Sequence, residues 1–496
     1  MTSANTAYNP APASRKSWLA LAVILAGMFM ALIDATIVNV ALPSMRNSLH
    51  ATDSTLSWVI SGYALTFGLA LIPSGRIGDR IGHKWVFITG IGLFTIASAY
   101  CGFAVNDFDI IVGRVLQGLA GGIFVPAVGS YIQLLFQGRE RGKAFAIMGS
   151  VIGISSALGQ IAGGLLIQAF GDTEGWRSVF WVNLPIGIAT AIFAIRLLPN
   201  GDAHADRTNR MDWLGVLLLS AALTMVLIPL IQGQQEGWPL WTWLTMAGGV
   251  VVLVMFGLWQ VLFAKRGGSA LVPPRLFHHG SFTFGTILAL VYFAGFTSIF
   301  FTLSLLWQAG LGHTALESGL LTLPFAIGTA IFSSQSSKWA AKLGRSVLVI
   351  GAALVAVGLG ATWLILANVG IADLNNWMLL PALFVAGAGN GCFLAPNVQF
   401  IVATVENSEA GAASGVVQTM QRMGTAIGVA VIGSILFGAI HKDQIRSAAD
   451  AANQFKTGAT SAMLTSAILA VVAFGLVYSL PRRIQLHGAP SAPSAE

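Results

Sequence analysis

Fourteen apolar stretches of roughly twenty residues, separated by short polar joints, run almost end to end along this chain. A stretch of that length is what a helix needs to cross the hydrocarbon of a bilayer, where helical backbone satisfies its own hydrogen bonds. We place the spans near 18–43, 55–75, 85–105, 109–135, 144–169, 178–198, 213–232, 242–264, 282–308, 318–336, 346–367, 377–401, 413–440 and 461–481. Charged residues make up only 9% of the chain, against about 25% in an ordinary soluble domain, and mean hydropathy is +0.76. The expected fold class is therefore an all-α membrane protein, and no stretch remains for a soluble domain.

Orientation follows from the cations. Of the 26 Lys and Arg residues, 19 fall on joints and tails that are cytoplasmic if the N-terminus is inside, and five fall on the outer joints. The last two, Arg114 and Arg422, lie within spans 4 and 13. This asymmetry obeys the positive-inside rule and puts both termini in the cytoplasm. We expect a multi-pass protein of the plasma membrane, such as a bacterial inner membrane. The net charge of +7 is then mostly topology, and the basic residues form no stripe of the kind that binds nucleic acid. At 26 residues, span 1 is too long for a cleaved signal segment. Cys101 and Cys392 lie far apart inside apolar spans, which suggests packing rather than a disulfide or a metal site. Most of the 14 Trp lie near span ends, Trp18, Trp85, Trp176 and Trp377 among them, and fit an interfacial aromatic belt.

The sequence also repeats itself. Gly118 to Phe124 (GLAGGIF) in span 4 matches Gly387 to Phe393 (GAGNGCF) in span 12 at an offset of 269. The same offset carries Gly142 to Gly411, Gly159 to Gly428 and Gly164 to Gly433. Carriers built from two such halves place their substrate between them near the midplane. The division expected is a cytoplasmic tail at 1–17, a six-helix half at 18–198, a two-helix insert with flanking loops at 199–281, a second six-helix half at 282–481, and a cytoplasmic tail at 482–496. The inserted spans carry no charge, so a spacer or lipid-facing role is expected for them.

One residue stands out from this apolar background. Asp34 lies well inside span 1, where a charge costs roughly 2.5–3.5 kcal/mol and is tolerated when it faces a cavity or a partner. Burial also favours the neutral form of a carboxylic acid, so an acid here suits the gain and loss of a proton. At about 1.5 Å per residue, Asp34 lies roughly 13 Å and Arg114 roughly 8 Å below the outer ends of their spans. A salt bridge or coupled proton site between them is expected.

The segment Gly75 to Lys84 (GRIGDRIGHK), joining spans 2 and 3 on the inner side, strongly resembles the signature loop of the major facilitator superfamily. Leu32 to Pro43 (LIDATIVNVALP), Trp176 to Gly187 (WRSVFWVNLPIG), Arg114 to Gly118 (RVLQG), and Ala412 to Gly415 (AASG) with Gln421 and Arg422 are similar to motifs of its fourteen-span drug:proton antiporter branch (QacA/EmrB-like). The resemblance covers nearly the whole chain apart from the tails. It implies the major facilitator fold, two six-helix halves plus two inserted helices. It also implies a cytoplasmic gate at Gly75, Arg76, Asp79, Arg80, Gly82 and Lys84, which holds the halves together on the inner side. The antiporter-motif helix would be the one carrying Gly159, Gln160, Gly163 and Gly164. Here the chain departs from the pattern, because Gln160 stands where the motif has a proline, and proline removes a donor and bends a helix.

Arg422, Asn39, Gln308, Gln335 and Gln399 are possible cavity-lining groups, although hydrogen bonds between helices explain such residues equally well. Glu317, Glu406 and Glu409 are expected to be solvated. There is no phosphate-binding loop of the Gly-x-x-x-x-Gly-Lys-Ser/Thr type, no ring of pore charges, and neither a nucleophile–base set nor a metal cluster. ATP drive, a channel and an enzyme are thereby disfavoured. The reading is a proton-coupled antiporter, without cofactor and working as a monomer, that exports amphipathic or cationic small molecules, with multidrug efflux as its role. The alternative is a dedicated exporter of a single lipid, metabolite or antibiotic on the same fold.

Overall fold

The computed structural model describes residues 14–481, apart from 52, 172–173, 200–211, 269, 297, 403–404, 406–408 and 441–446. The C-terminal tail, most of the N-terminal tail, Glu406 and most of the joint between spans 6 and 7 lie outside the described residues. The first five spans are α1 (Arg15–Leu49), α2 (Asp53–Ile81), α3 (His83–Gly102), α4 (Asp107–Leu135) and α5 (Gly138–Phe170). Span 6 combines a 3-10 turn (Gly175–Arg177) with α6 (Ser178–Trp181) and α7 (Asn183–Leu197), and the insert is α8 (Trp213–Glu236) and α9 (Leu240–Lys265). A 3-10 turn (Pro274–His278) then leads into α10 (Gly280–Phe296), α11 (Ser298–Leu305) and a π-helical turn (Leu306–Gly310), which together form span 9. Span 10 is α12 (Ala315–Leu321) with α13 (Leu323–Leu343), followed by α14 (Ser346–Asn368), α15 (Asn376–Val402), α16 (Ala410–Gly438) and α17 (Ala448–Val477). Thirteen of the described spans pass as long apolar helices, and α5, bent by 40°, makes up to fourteen.

Local chemistry sets the ends. Asn106 caps α4 by accepting from the Asp109 amide, with Asp107 and Asp109 in the positive first turn. Ser447 caps α17 in the same way, so that helix begins well before the expected residue 461. The expected loop after span 2 is mostly helix. α2 runs on to Ile81, and Gly82 alone turns the chain, at φ 98°, a conformation that favours glycine.

Packing repeats as the sequence does. A Cβ on Gly118 would lie 2.3 Å from the Tyr63 carbonyl oxygen, and one on Gly122 would lie 2.4 Å from that of Phe67, so α4 rides directly on the α2 backbone. In the second half, a Cβ on Gly387 or Gly391 would lie 2.1 or 2.5 Å from the Phe325 or Thr329 carbonyl oxygen, which sets α15 on α13. The glycines are 269 residues apart and their partners 262. Small residues permit such close approach where burial of apolar surface cannot drive helices together.

The halves meet along α2 with α16 and α5 with α13. α9 is lipid-facing as expected, with Val250, Val254 and Leu258 more than half exposed. α8 departs from the expectation by packing on both α2 and α16. Leu227 lies against Gly68, and Trp238, just past the end of α8, donates to the Ser434 hydroxyl at 2.9 Å. At the inner end of the insert, Asp212 accepts from Trp259 and Gln260 of α9, which pins α8 to α9.

Gly118→Val and Gly387→Val, which force a side chain onto backbone, are expected to lower stability by about 1–3 kcal/mol. Gly92→Ala, with open space around the new methyl, is expected to be neutral. Thermal unfolding of the detergent-purified variants checks both.

Candidate functional site

Asp34 and Arg114 meet. Arg114 Nη1 donates to Asp34 Oδ2 at 2.6 Å, and the two side chains are 1% and 0% exposed. The other carboxylate oxygen, Oδ1, accepts from Gln117 Nε2 and Asn183 Nδ2, both at 2.8 Å. These two amides also donate to Ser98 Oγ, which in turn donates to the Phe180 carbonyl. Arg114 further donates to Gln117 Oε1 at 2.8 Å and to the Val59 carbonyl at 2.9 Å. Residues of α1, α3, α4 and α7 thus enclose one carboxylate with no open coordination site. A saturated buried network is stable, whereas loss of one member strands a charge. In this conformation a cationic substrate has no access to Asp34.

Sequence reasoning missed Gln117, Asn183 and Ser98 as members. A signal existed for Gln117, which is three residues after Arg114 and therefore on the same helix face. Asn183 is a polar residue between Trp181 and Pro185. Nothing local marks Ser98.

An aromatic pair connects this site to the second half. The Arg114 guanidinium lies 4.1 Å from the centre of the Tyr63 ring, which is 5.7 Å from the Phe67 ring. The guanidinium of Arg422, on α16, lies 4.2 Å from the other end of that pair, over Phe67. Among the described residues, Arg422 meets no carboxylate and donates no hydrogen bond. Close by, α4, α5, α15 and α16 line a small cavity of about 20 Å³, with Gln133, Gln418, Gln421 and Ser414 as its polar groups.

On the side expected to be cytoplasmic, the two halves are in contact. Asp79 Oδ2 accepts from the Ala412 amide at 3.0 Å, in the first turn of α16, and Asp79 also pairs with Arg76 and His83. An anion at a helix N-terminus is favourable, and this one joins the two halves. Gly75, Arg80 and Lys84 stand around it on α2 and at the start of α3, and the Gly82 turn brings His83 back onto the acid. Glu409 is not solvated as expected. It is 4% exposed and takes Arg275 at 2.8 Å.

Span 5 keeps a bend without the proline. The 40° break in α5 falls between Ser155 and Leu158, and Ser155 Oγ donates to the Val151 carbonyl at 2.5 Å, a competing bond of the kind that bends helices. Gly159 and Gly163 face α1, against Thr36 and Ile37, while Gly164 faces Leu316 and Gln160 packs beside Gly319 of α12.

The remaining cavity candidates disperse. Gln335 shares a stripe at four-residue spacing with Ile327 and Ile331, both about half exposed, and so lies on the lipid-facing side. Gln399 donates to the Gly142 carbonyl at 3.1 Å, an inner contact between halves. Gln308 is exposed and donates to Ser304, and Asn39 is exposed on α1. Trp176 is fully buried rather than part of a belt, whereas Trp85 and Trp377 are exposed as a belt requires.

Comparison with known families matches residues 24–312 and 285–494 to the Major Facilitator Superfamily. The chain is 35% identical to the probable actinorhodin transporter of Streptomyces coelicolor over 91% of its own length and 78% of the relative's. It is 30% identical to the tetracenomycin C resistance and export protein of Streptomyces glaucescens, over 87% and 78% of the two chains. The proton:xylose symporter XylE, a solved structure, shares the fold at a TM-score of 0.64 and 14% identity, covering 94% of this chain and 96% of that one.

Removing the Asp79 carboxylate deletes a charge-assisted hydrogen bond that joins the two halves at the first turn of α16. In a Cys101→Ala, Cys392→Ala background carrying Gln133→Cys, adding Asp79→Ala is expected to speed labelling from the inner face by about five- to tenfold. An impermeant maleimide applied to inverted vesicles measures it.

Proposed function

The chain belongs to the major facilitator superfamily, and from that premise we propose that it is a proton-coupled exporter of amphipathic small molecules across the plasma membrane. The observation that carries this reading is the Asp34–Arg114 pair, a titratable acid sealed among three donor side chains in the interior of a membrane carrier. Protonating Asp34 turns an ion pair into a neutral contact and leaves Arg114 a buried cation among Gln117, the Val59 carbonyl and the Tyr63 and Phe180 rings. Such a state is costly, so protonation favours rearrangement of the helices that supply the network.

Rearrangement reaches the inner gate because α2 carries both the Tyr63 ring and Asp79. A proton moving inward through the full potential supplies about 2.3 kcal/mol per 100 mV, and no cofactor is needed. In this proposal the protein works as a monomer with both termini in the cytoplasm. Relatives named for export of, or resistance to, one antibiotic support a second reading, a dedicated exporter of a single compound. A resistance profile across unrelated compounds separates it from multidrug efflux.

Asp34→Asn is expected to abolish transport driven by a pH gradient in inverted vesicles while expression is retained. Undiminished gradient-driven transport by that variant would remove Asp34 from the coupling role.

A further inference from the structure

The two inserted helices are tied at both ends to one helix of the second half. At one end the Trp238 indole donates to Ser434 of α16. At the other, Asp212, which is buried and caps α8, accepts from the Gly215 amide and Trp259 Nε1, both at 2.8 Å, and from Gln260 Nε2 at 2.6 Å. Gln260 carries the tie onward, because its Oε1 accepts from the Val272 amide at 3.0 Å, in the joint after the insert. Three residues further along, Arg275 Nε donates to Glu409 Oε1 at 2.8 Å, and Glu409 stands at the N-cap position of α16. The joint itself is packed: Leu271, Val272 and Leu276 share a buried cluster with Leu223 and Leu227 of α8, Phe145 of α5 and Ala413 of α16.

Glu409 is one turn from Ala412, whose amide donates to Asp79 of the first half. Two carboxylates therefore stand at one helix N-terminus, where an anion is favourable but like charges repel. Arg275 settles the conflict by neutralising Glu409, which leaves the first turn of α16 to Asp79. A solvated surface bridge would contribute little. This one differs because Glu409 is 4% exposed, and a buried acid that loses its cation is strongly destabilised. The place of Arg275 depends in turn on the joint, which Gln260 fixes through Val272.

Resting on the export reading above, we propose that the insert is a brace for α16 and that Asp212, Gln260 and Arg275 are positioning residues. Through Val272 and Glu409 they hold the first turn of α16 where its Ala412 amide meets Asp79. The insert thus sets how firmly the two halves meet on that side, a role beyond that of a spacer.

The test uses the full chain carrying Cys101→Ala, Cys392→Ala and Gln133→Cys, since Gln133 is buried where α4 faces α15 and α16. Labelling at that position by an impermeant maleimide is followed in inverted vesicles. Arg275→Gln is expected to speed labelling by about three- to tenfold. Added to Asp79→Ala, it is expected to change the rate by less than about twofold, because both substitutions loosen the same contact. A residue that only stabilised the fold would instead multiply the two effects. Should Arg275→Gln fail to fold, Gln260→Met, which leaves Arg275 and Glu409 in place, is expected to speed labelling by about two- to fivefold. Unchanged labelling in folded Arg275→Gln, unchanged labelling in Gln260→Met, or multiplied effects in the double variant overturns the brace. Rates that behave as expected while the wild type shows no export driven by a pH gradient would uphold the brace and remove the antiport reading instead.

Discussion

A single ion pair in the membrane interior sets the terms for the first half of the molecule. Asp34 and Arg114 are tolerable there only because every acceptor and donor between them is placed, and placing them requires α1, α3, α4 and α7 at fixed distances. Those distances come from residues that carry no chemistry. Gly118, one turn beyond Arg114, lets α4 touch the backbone of α2 at Tyr63, which puts the Tyr63 ring under the guanidinium. Gly90 of α3 against Phe124 of α4, and Gly113 of α4 against Cys101 of α3, bring those two helices together in the same way. The polar site is therefore a consequence of the glycine packing, and its geometry is as rigid as that packing.

The duplication of the chain makes the site's asymmetry visible. Gly159 approaches the Ile33 carbonyl and Gly428 that of Ala294, so α10 repeats α1 at an offset of 261 and Gly295 stands where the first half has Asp34. At the offset of 269, Leu383 and Ala386 replace Arg114 and Gln117. Conversely, Arg422 in the second half occupies the position of Gly153 in the first. The two halves share a scaffold and differ in charge: a closed acid–base pair in one and, in the other, an arginine that meets no carboxylate among the described residues.

Much of this was legible in the sequence because bilayer physics leaves few choices. Apolar length marked the spans, and the shared offset marked the repeated glycine contacts of the two halves. Asp34 and Arg114 could be paired by depth, since helix rise is fixed. What could not be read was anything that depended on rotation about a helix axis. Gln335 and Gln399 are alike in sequence terms, yet one faces lipid and the other bonds across the halves. Glu409 appeared to be an ordinary loop acid until Arg275, from the joint after the insert, was found beside it. The motif's bend belongs to a proline that Gln160 replaces here, yet α5 still bends, with a serine back-bond beside the break.

Coupling between the acid and the gate needs no chain of small steps, because α2 spans the distance by itself. It is continuous from Asp53 to Ile81. Its Tyr63 ring lies under Arg114, its Phe67 ring under Arg422, and its Asp79 carboxylate on the first turn of α16. Anything that displaces Arg114 shifts the stacking partner it presses on, and that partner shares a backbone with the inner latch. Pro73 lies between the ring pair and the latch, where the missing rung of hydrogen bonding makes α2 easiest to flex. In the mechanism proposed above, a helix that meets both membrane arginines and joins the two halves is the two-position element that proton and substrate would bias together. Such an element is the physical requirement for exchange.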